Sequence, residues 1–308
     1  FEESLYPFAK LEVVTSRIAG ALQRSGLTKG DRIALVIPDN EAFVMTFLSC
    51  LRVGIIPVPL YPPTGVGQLA GYLDNARHVM NQSGARMLVT VPMIAEHLSA
   101  IKTVCPALER VLSVADLFQN TEAFNPVEIK SDDIAFLQYT SGSTSRPKGV
   151  TLTHANLLAN INAFMGEGLG AHQDKDHGLS WLPLFHDMGL IGFVLAPLVH
   201  QIDCTYLSVL QFLKRPSIWL KAISKYKGTI TFGPNFSYGA CARRIRPEEV
   251  QGLDLSSCRV AGCGSEPIRP EVLEGFARAF APLGFKREAF LPAYGMADAM
   301  LTAQKADG

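Results

Sequence analysis

The chain has 308 residues, 48% of them hydrophobic, with 28 basic and 28 acidic side chains and a formal net charge of zero. That length holds one large domain or two, and the balanced charge leaves no electrostatic case for nucleic-acid or anionic-membrane binding. Six cysteines without C-x-x-C spacing argue for buried cytoplasmic thiols rather than disulfides or zinc, and the longest apolar run, 188–199, is too short for a membrane span. Helical spacing at Leu11, Val14, Ile18 and Leu22 predicts a helix over 11–21, ended by Gly26 and the Lys29-Gly30-Asp31 turn. A strand over 32–37, a helix over 43–52 closed by Gly54, and a strand over 55–60 follow. This β-α-β order with short connections implies a parallel sheet covered by helices.

Gly65-Val66-Gly67 with Ala70 loosely fits a dinucleotide-binding pattern, but two prolines stand where its strand should be, so a loop is expected there. A helix bearing Leu69, Tyr72, Leu73, Ala76 and Met80 comes next, then a strand over 86–91, a helix over 94–104 and a strand over 110–114. Residues 117–132 read as an irregular surface connection.

The organising stretch is 139–150, YTSGSTSRPKGV. Hydroxyls at Thr140, Ser141, Ser143, Thr144 and Ser145 surround Gly142, and Arg146, Lys148 and Gly149 follow. An apolar strand over 134–137 precedes it and a helix over 151–164 is expected after it. Strand, hydroxyl-rich turn and helix N-terminus together make an anion cradle suited to a polyphosphate. It is not a Walker A loop, because its lysine precedes the glycine.

His172 and His177 sit in a charged loop without a third ligand and read as solvated. A strand over 179–182 leads to PLFHDMGLIG, where His186 and Asp187 open an apolar helix and Asp187 is either its cap or functional. Strands and helices then alternate over 203–207, 217–225, 228–232, 235–244, 258–263, 269–282 and 287–291. Arg243, Arg244 and Arg246, the only basic cluster, read as a solvated helix end. Glycine-bearing turns at 233–235, 262–267 and 294–298 fall at strand ends, where open α/β sheets gather their ligand sites.

The 139–150 loop resembles the phosphate-binding signature of adenylate-forming enzymes. The serine at 145, with PKGV after it, together with PLYPP at 59–63 and WLPLFHDMGLIG, is similar to the fatty acyl-AMP ligase branch. GDRIALVIPDN, GPNFSYG, GCGSEP and YGMADAM resemble further family motifs in the family's chain order.

The resemblance implies an α/β fold of two packed lobes of mainly parallel sheet with flanking helices. Lobe one would hold about 1–60 plus 179–308, lobe two about 61–178. It implies ATP-dependent activation of a fatty acid to an acyl-adenylate, with transfer to the phosphopantetheine arm of an acyl carrier protein. In that scheme Thr140, Ser141, Gly142, Ser143, Thr144, Ser145 and Lys148 bind phosphates, and His186 lies near the substrate carboxylate, with Lys148 and His186 as the catalytic pair. Gly264, Ser265, Glu266, Pro267, Tyr294, Gly295 and Met296 would hold adenine, and Asp298 the Mg²⁺. Met188, Ile191, Phe232, Gly233 and Phe236 would line the acyl pocket. Tyr294 has core packing, and Asp298 a helix-cap role, as alternatives. Relatives usually carry glutamate where Asp298 stands, and glycine where Ser145 stands. The start at Phe1 and the end at Gly308 read as those of a fragment without the mobile C-terminal lid domain and its catalytic lysine, so turnover by this stretch alone is expected to be very weak. An acyl-CoA synthetase, and a non-catalytic nucleotide- or acyl-binding module, are the competing readings.

Overall fold

Short, wholly apolar runs alternating with amphipathic helices generate parallel strands buried on both faces, each joined to the next by a covering helix. The computed structural model describes residues 3–63, 69–140, 146–296 and 300–303. By internal contacts the chain divides into two units, Phe1–Leu157 and Leu158–Gly308.

In the first unit, α1 (Phe8–Arg24) leads to β1 (Arg32–Val36), α2 (Asn40–Arg52) and β2 (Ile56–Pro59). Then come α3 (Leu69–Ser83), β3 (Met87–Thr90), α4 (Pro92–Leu98), β4 (Arg110–Ser113) and α5 (Val114–Gln119). A short 3₁₀ segment, Ser99–Val104, follows α4, and α5 occupies the start of the stretch expected to be irregular. The Asp39 side chain caps α2 by accepting the Ala42 N–H at 2.8 Å, and Gly54, at φ +66°, turns the chain into β2. The four strands pair in parallel in the order β2-β1-β3-β4. Ala34, Val36, Val58, Leu88, Val79 and Met80 form the core between this sheet and α3.

A hairpin of β5 (Ile134–Tyr139) and β6 (Gly149–Thr153) completes the unit, with Phe136 packed edge-on to Phe47 of α2. The helix expected over 151–164 therefore starts later, as α6 (His154–Asn162), continued by a π-helical turn, Ala163–Gly168. β-Branched Val150, Thr151 and Thr153 favour the strand. Thr153 then caps α6, its hydroxyl accepting the Asn156 N–H at 3.1 Å while the Asn156 side chain accepts the Thr153 N–H at 3.2 Å.

The second unit holds β7 (His177–Ser180), α7 (Asp187–Leu190), a π-helical turn Ile191–Leu195, α8 (Ala196–His200) and β8 (Asp203–Tyr206). It continues with α9 (Val209–Lys214), α10 (Ser217–Tyr226), β9 (Ile230–Gly233), α11 (Asn235–Arg244) and α12 (Pro247–Val250). The last elements are β10 (Val260–Cys263), α13 (Pro270–Phe280), β11 (Phe290–Met296) and β12 (Met300–Ala303). The sheet order is β12-β11-β10-β9-β7-β8, parallel except for β11 against β12. Trp219, Tyr238 and Phe276 are fully buried in one aromatic cluster with Phe290.

The strand pairing differs from the expected lobe assignment. The strands of 1–60 hydrogen-bond with those of 87–113, and no pairing joins them to strands after 177 among the described residues. β1 is paired on both edges, by β2 and β3, so it offers no edge to the later strands. All six cysteines are free, five of them buried. Arg244 is not simply solvated: it donates to the carbonyls of Leu213 and Lys214 at 3.0 and 3.1 Å, capping α9. Among the described residues no helix is long and apolar enough to cross a membrane.

Candidate functional site

In the first unit, the hydroxyl-rich loop joins two antiparallel strands rather than a strand and a helix. The hairpin closes where Thr140 N–H donates to the Lys148 carbonyl at 3.0 Å. A Cβ on Gly149 would meet the end of the Tyr139 ring at 2.8 Å, so a larger residue there would have to displace that ring. His78 of α3 reaches the same end of the loop, its Nε2 3.0 Å from the Pro147 carbonyl oxygen. Arg146 and Lys148 are exposed, so their charges are free to meet an anion. Ser141, Gly142, Ser143, Thr144 and Ser145 lie outside the described residues, as do Gly65, Val66, Gly67 and Asp298; Ala70 falls in α3.

In the second unit, β7, β9, β10 and β11 are parallel neighbours, so the segments after them emerge from one edge of the sheet. His186, Gly233, Gly264 to Pro267, and Tyr294 to Met296 all belong to that edge. His186 precedes α7, and its Nδ1 lies 2.5 Å from Asp187 Oδ1, which also accepts the Met188 N–H at 2.7 Å. The hydrogen bond to Asp187 raises the His186 pKa, outweighing the effect of burial. Burial would raise the Asp187 pKa, but the bond to His186, its charge and the Met188 N–H hold it below the usual carboxylate value. The pair thus sets an imidazole, whose protonated form its neighbour favours, beside a nearly buried carboxylate. Asp187, the first residue of α7, binds both the Met188 N–H and the His186 ring.

The turn after β10 is shaped by close approach. A Cβ on Gly264 would meet the Ala293 carbonyl oxygen at 2.5 Å, and Ser265 takes φ +65°. Ser265, Glu266 and Pro267 are exposed, and the Glu266 carboxylate accepts the Phe236 N–H in the first turn of α11. Tyr294 is not core: at 66% exposure its ring is open to stack on a planar ligand. Gly295 and Met296 end β11.

An apolar cavity of about 40 Å³ lies within this unit. The sheet contributes Gly178, Ile230, Phe232 and Ala293; Met188, Gly192, Phe193 and Pro197 come from the α7–α8 segment. Phe164, Met165 and Leu169 close another wall. Of the expected acyl-pocket residues, Met188 and Phe232 line it. Ile191, Gly233 and Phe236 do not. Ile191 is fully buried in the core, and Gly233 is hemmed in by Ser237, Trp219 and Trp181. Phe236 is half-exposed, edge-on to Trp181. The wall residues 164–169 carried no sequence signal, because their spacing reads as an ordinary helix end. Gly262 makes the cavity's shape possible: a Cβ there would fall 2.1 Å from the Phe232 ring.

His177 is no free ligand; its Nε2 lies 2.8 Å from Thr205 Oγ1. His172 is exposed, and the described residues contain no group of three or more His, Cys, Asp or Glu placed to hold a metal.

The model of the AMP-binding enzyme family matches residues 3–306. The chain is 35% identical over 298 residues to the medium-chain fatty acid–acyl carrier protein ligase JamA of Moorena producens, covering 96% of this chain and 50% of that protein. It is 36% identical over 300 residues to a Caulobacter vibrioides protein named provisionally as an acyl-CoA synthetase, covering 97% and 52%. A fatty acyl-adenylate ligase from L. pneumophila, solved with acyl adenylate and pyrophosphate, superimposes with a TM-score of 0.87 at 38% identity, over 98% of this chain and 53% of that one. The chain spans about half the length of the curated relatives it matches. With its parallel sheets, its strand-end turns and a family match running almost end to end, this chain belongs to the AMP-binding enzymes.

Proposed function

We propose that the chain is the ATP- and acid-binding part of a cytoplasmic fatty acyl-AMP ligase, which converts a fatty acid and ATP to acyl-adenylate and pyrophosphate. The observation that carries this reading is the apolar cavity, whose wall residue Met188 follows directly on the His186–Asp187 pair. In this reading the hydrocarbon tail occupies the cavity and the carboxylate faces the imidazole of His186. A carboxylate oxygen attacks the α-phosphorus of ATP, and pyrophosphate leaves. The rate gain comes from positioning and from charge neutralisation.

Lys148, Thr140, Gly142 and the hydroxyls of Ser141, Ser143, Thr144 and Ser145 hold the departing phosphates. Tyr294, flanked by Gly295 and Met296, stacks on the adenine, and the backbone of Gly264, Ser265 and Glu266, with Pro267 after it, reads its polar edge. Mg²⁺, when bound, supplies positive charge between the phosphates. Asp298 would be the carboxylate that holds it.

The acyl group then passes to the phosphopantetheine arm of an acyl carrier protein, as the name of the Moorena relative has it for that protein. The Caulobacter relative favours coenzyme A as the acceptor instead. Fatty-acid-dependent exchange of pyrophosphate into ATP, measured on the full-length enzyme, tests the first half-reaction; offering carrier protein or coenzyme A separates the acceptors. Binding of acyl-adenylate without any exchange would reduce the protein to a non-catalytic module.

A further inference from the structure

Asp176 and Arg259 are bound to each other by two bonds of 2.7 Å, from Nε to Oδ1 and from Nη2 to Oδ2. Asp176 is buried, and its remaining capacity is filled by the Thr229 hydroxyl at 2.7 Å and the His172 N–H at 2.8 Å. Thr229 Oγ1 in turn accepts the His177 N–H at 2.9 Å. Arg259 also donates from Nη1 to the Leu169 carbonyl at 2.8 Å and from Nη2 to the Gly170 carbonyl at 3.4 Å. These are carbonyls at the end of the Ala163–Gly168 turn, which have no partner within the helix.

The position of this clamp matters more than its strength. Thr229 and Arg259 precede β9 and β10, and His177 opens β7, so the clamp ties three adjacent strands at their N-terminal ends. The next residues along, Gly178 and Ile230, line the cavity, and so does Leu169. Phe232 is level with Gly262 and Leu291; Ile230 lies two residues before that row and Ala293 two after it, so the cavity wall runs four residues along the strands. At roughly 3.3 Å per residue this is about 13 Å, the reach of a medium-length hydrocarbon tail.

We propose that Arg259, acting through Asp176, is a positioning residue that sets how deep the fatty-acid tail can enter, by holding Leu169, Gly178 and Ile230 at fixed separation at the cavity's inner end. This rests on the acyl-cavity reading above. An Arg is suited to the task because its planar fork grips a carboxylate and two carbonyls at once, which a lysine cannot do.

The test is displacement of a fluorescent fatty acid from this chain by free acids from octanoate to hexadecanoate, alongside the melting temperature. The wild-type chain should show a maximum at a medium length. In Arg259→Ala the preference for that length over hexadecanoate should fall about tenfold, the worth of one to two buried methylenes. Arg259→Lys should fall in between, and it decides the matter alone if the alanine variant does not fold. A lowered melting temperature with an unchanged length profile would make the clamp merely structural and overturn the proposal. If the wild-type chain binds no fatty acid of any length, the acyl reading itself fails and takes the proposal with it.

Discussion

Replacing Gly262 with alanine is the sharpest test of how the cavity is built. The added Cβ would stand 2.1, 2.2 and 2.4 Å from three carbons of the Phe232 ring, whereas carbon atoms rest about 3.5–4.0 Å apart. The ring must therefore move by more than an ångström. Ring and cavity share a wall, so the displaced ring is expected to enter the cavity, limiting the cost to about 1–3 kcal/mol of overpacking. At roughly 2–4 °C per kcal/mol for a unit of this size, the melting temperature should fall by about 2–12 °C. Both tryptophans of the chain, Trp181 and Trp219, lie in the second unit, so their fluorescence follows its unfolding. Phe232→Leu should relieve the clash, giving a favourable coupling of about 0.5–3 kcal/mol in the double-mutant cycle. A Gly262→Ala protein that melts like wild type, with no coupling to Phe232→Leu, would refute this account of the cavity.

The His186–Asp187 pair makes stability depend on pH at both ends. His186 has a raised folded pKa, so its contribution is complete below its unfolded value near 6.5 and is lost as pH rises through the raised value. Asp187 has a lowered folded pKa, so its contribution is complete above about 3.9 and is lost as pH falls through the lowered value. In Asp187→Asn an NMR titration of His186 should move back toward the ordinary imidazole midpoint; an unmoved midpoint would remove Asp187 as the cause. His78→Ala should weaken ATP binding about 2- to 10-fold by calorimetry, as one hydrogen bond to the Pro147 carbonyl is lost, while fatty-acid binding is unchanged. In the full-length enzyme Asp298→Ala should abolish pyrophosphate exchange while Asp298→Glu retains it; full exchange in the alanine variant would exclude the metal role.

Much of the architecture could be read from local pattern. The runs at 32–36, 56–59 and 87–90 are wholly or almost wholly buried, as parallel strands between helices must be, and continuous apolar sequence announces that directly. The hairpin at 134–153 could not be read this way. Its second strand is rich in threonine, and what makes it a strand is a partner ten or more residues away.

Chain order and composition by themselves determined the alternation of strands and helices, the edge on which the glycine-bearing turns emerge, and the pairing of His186 with its neighbour Asp187. Only tertiary structure decided which apolar side chains face the cavity and which fill the core, since Met188 and Ile191 are equally apolar and differ only in direction. It likewise brought together Asp176 and Arg259, 83 residues apart. A contact of that range leaves no periodicity behind: the geometry of three neighbouring strands creates it, and no single segment encodes it.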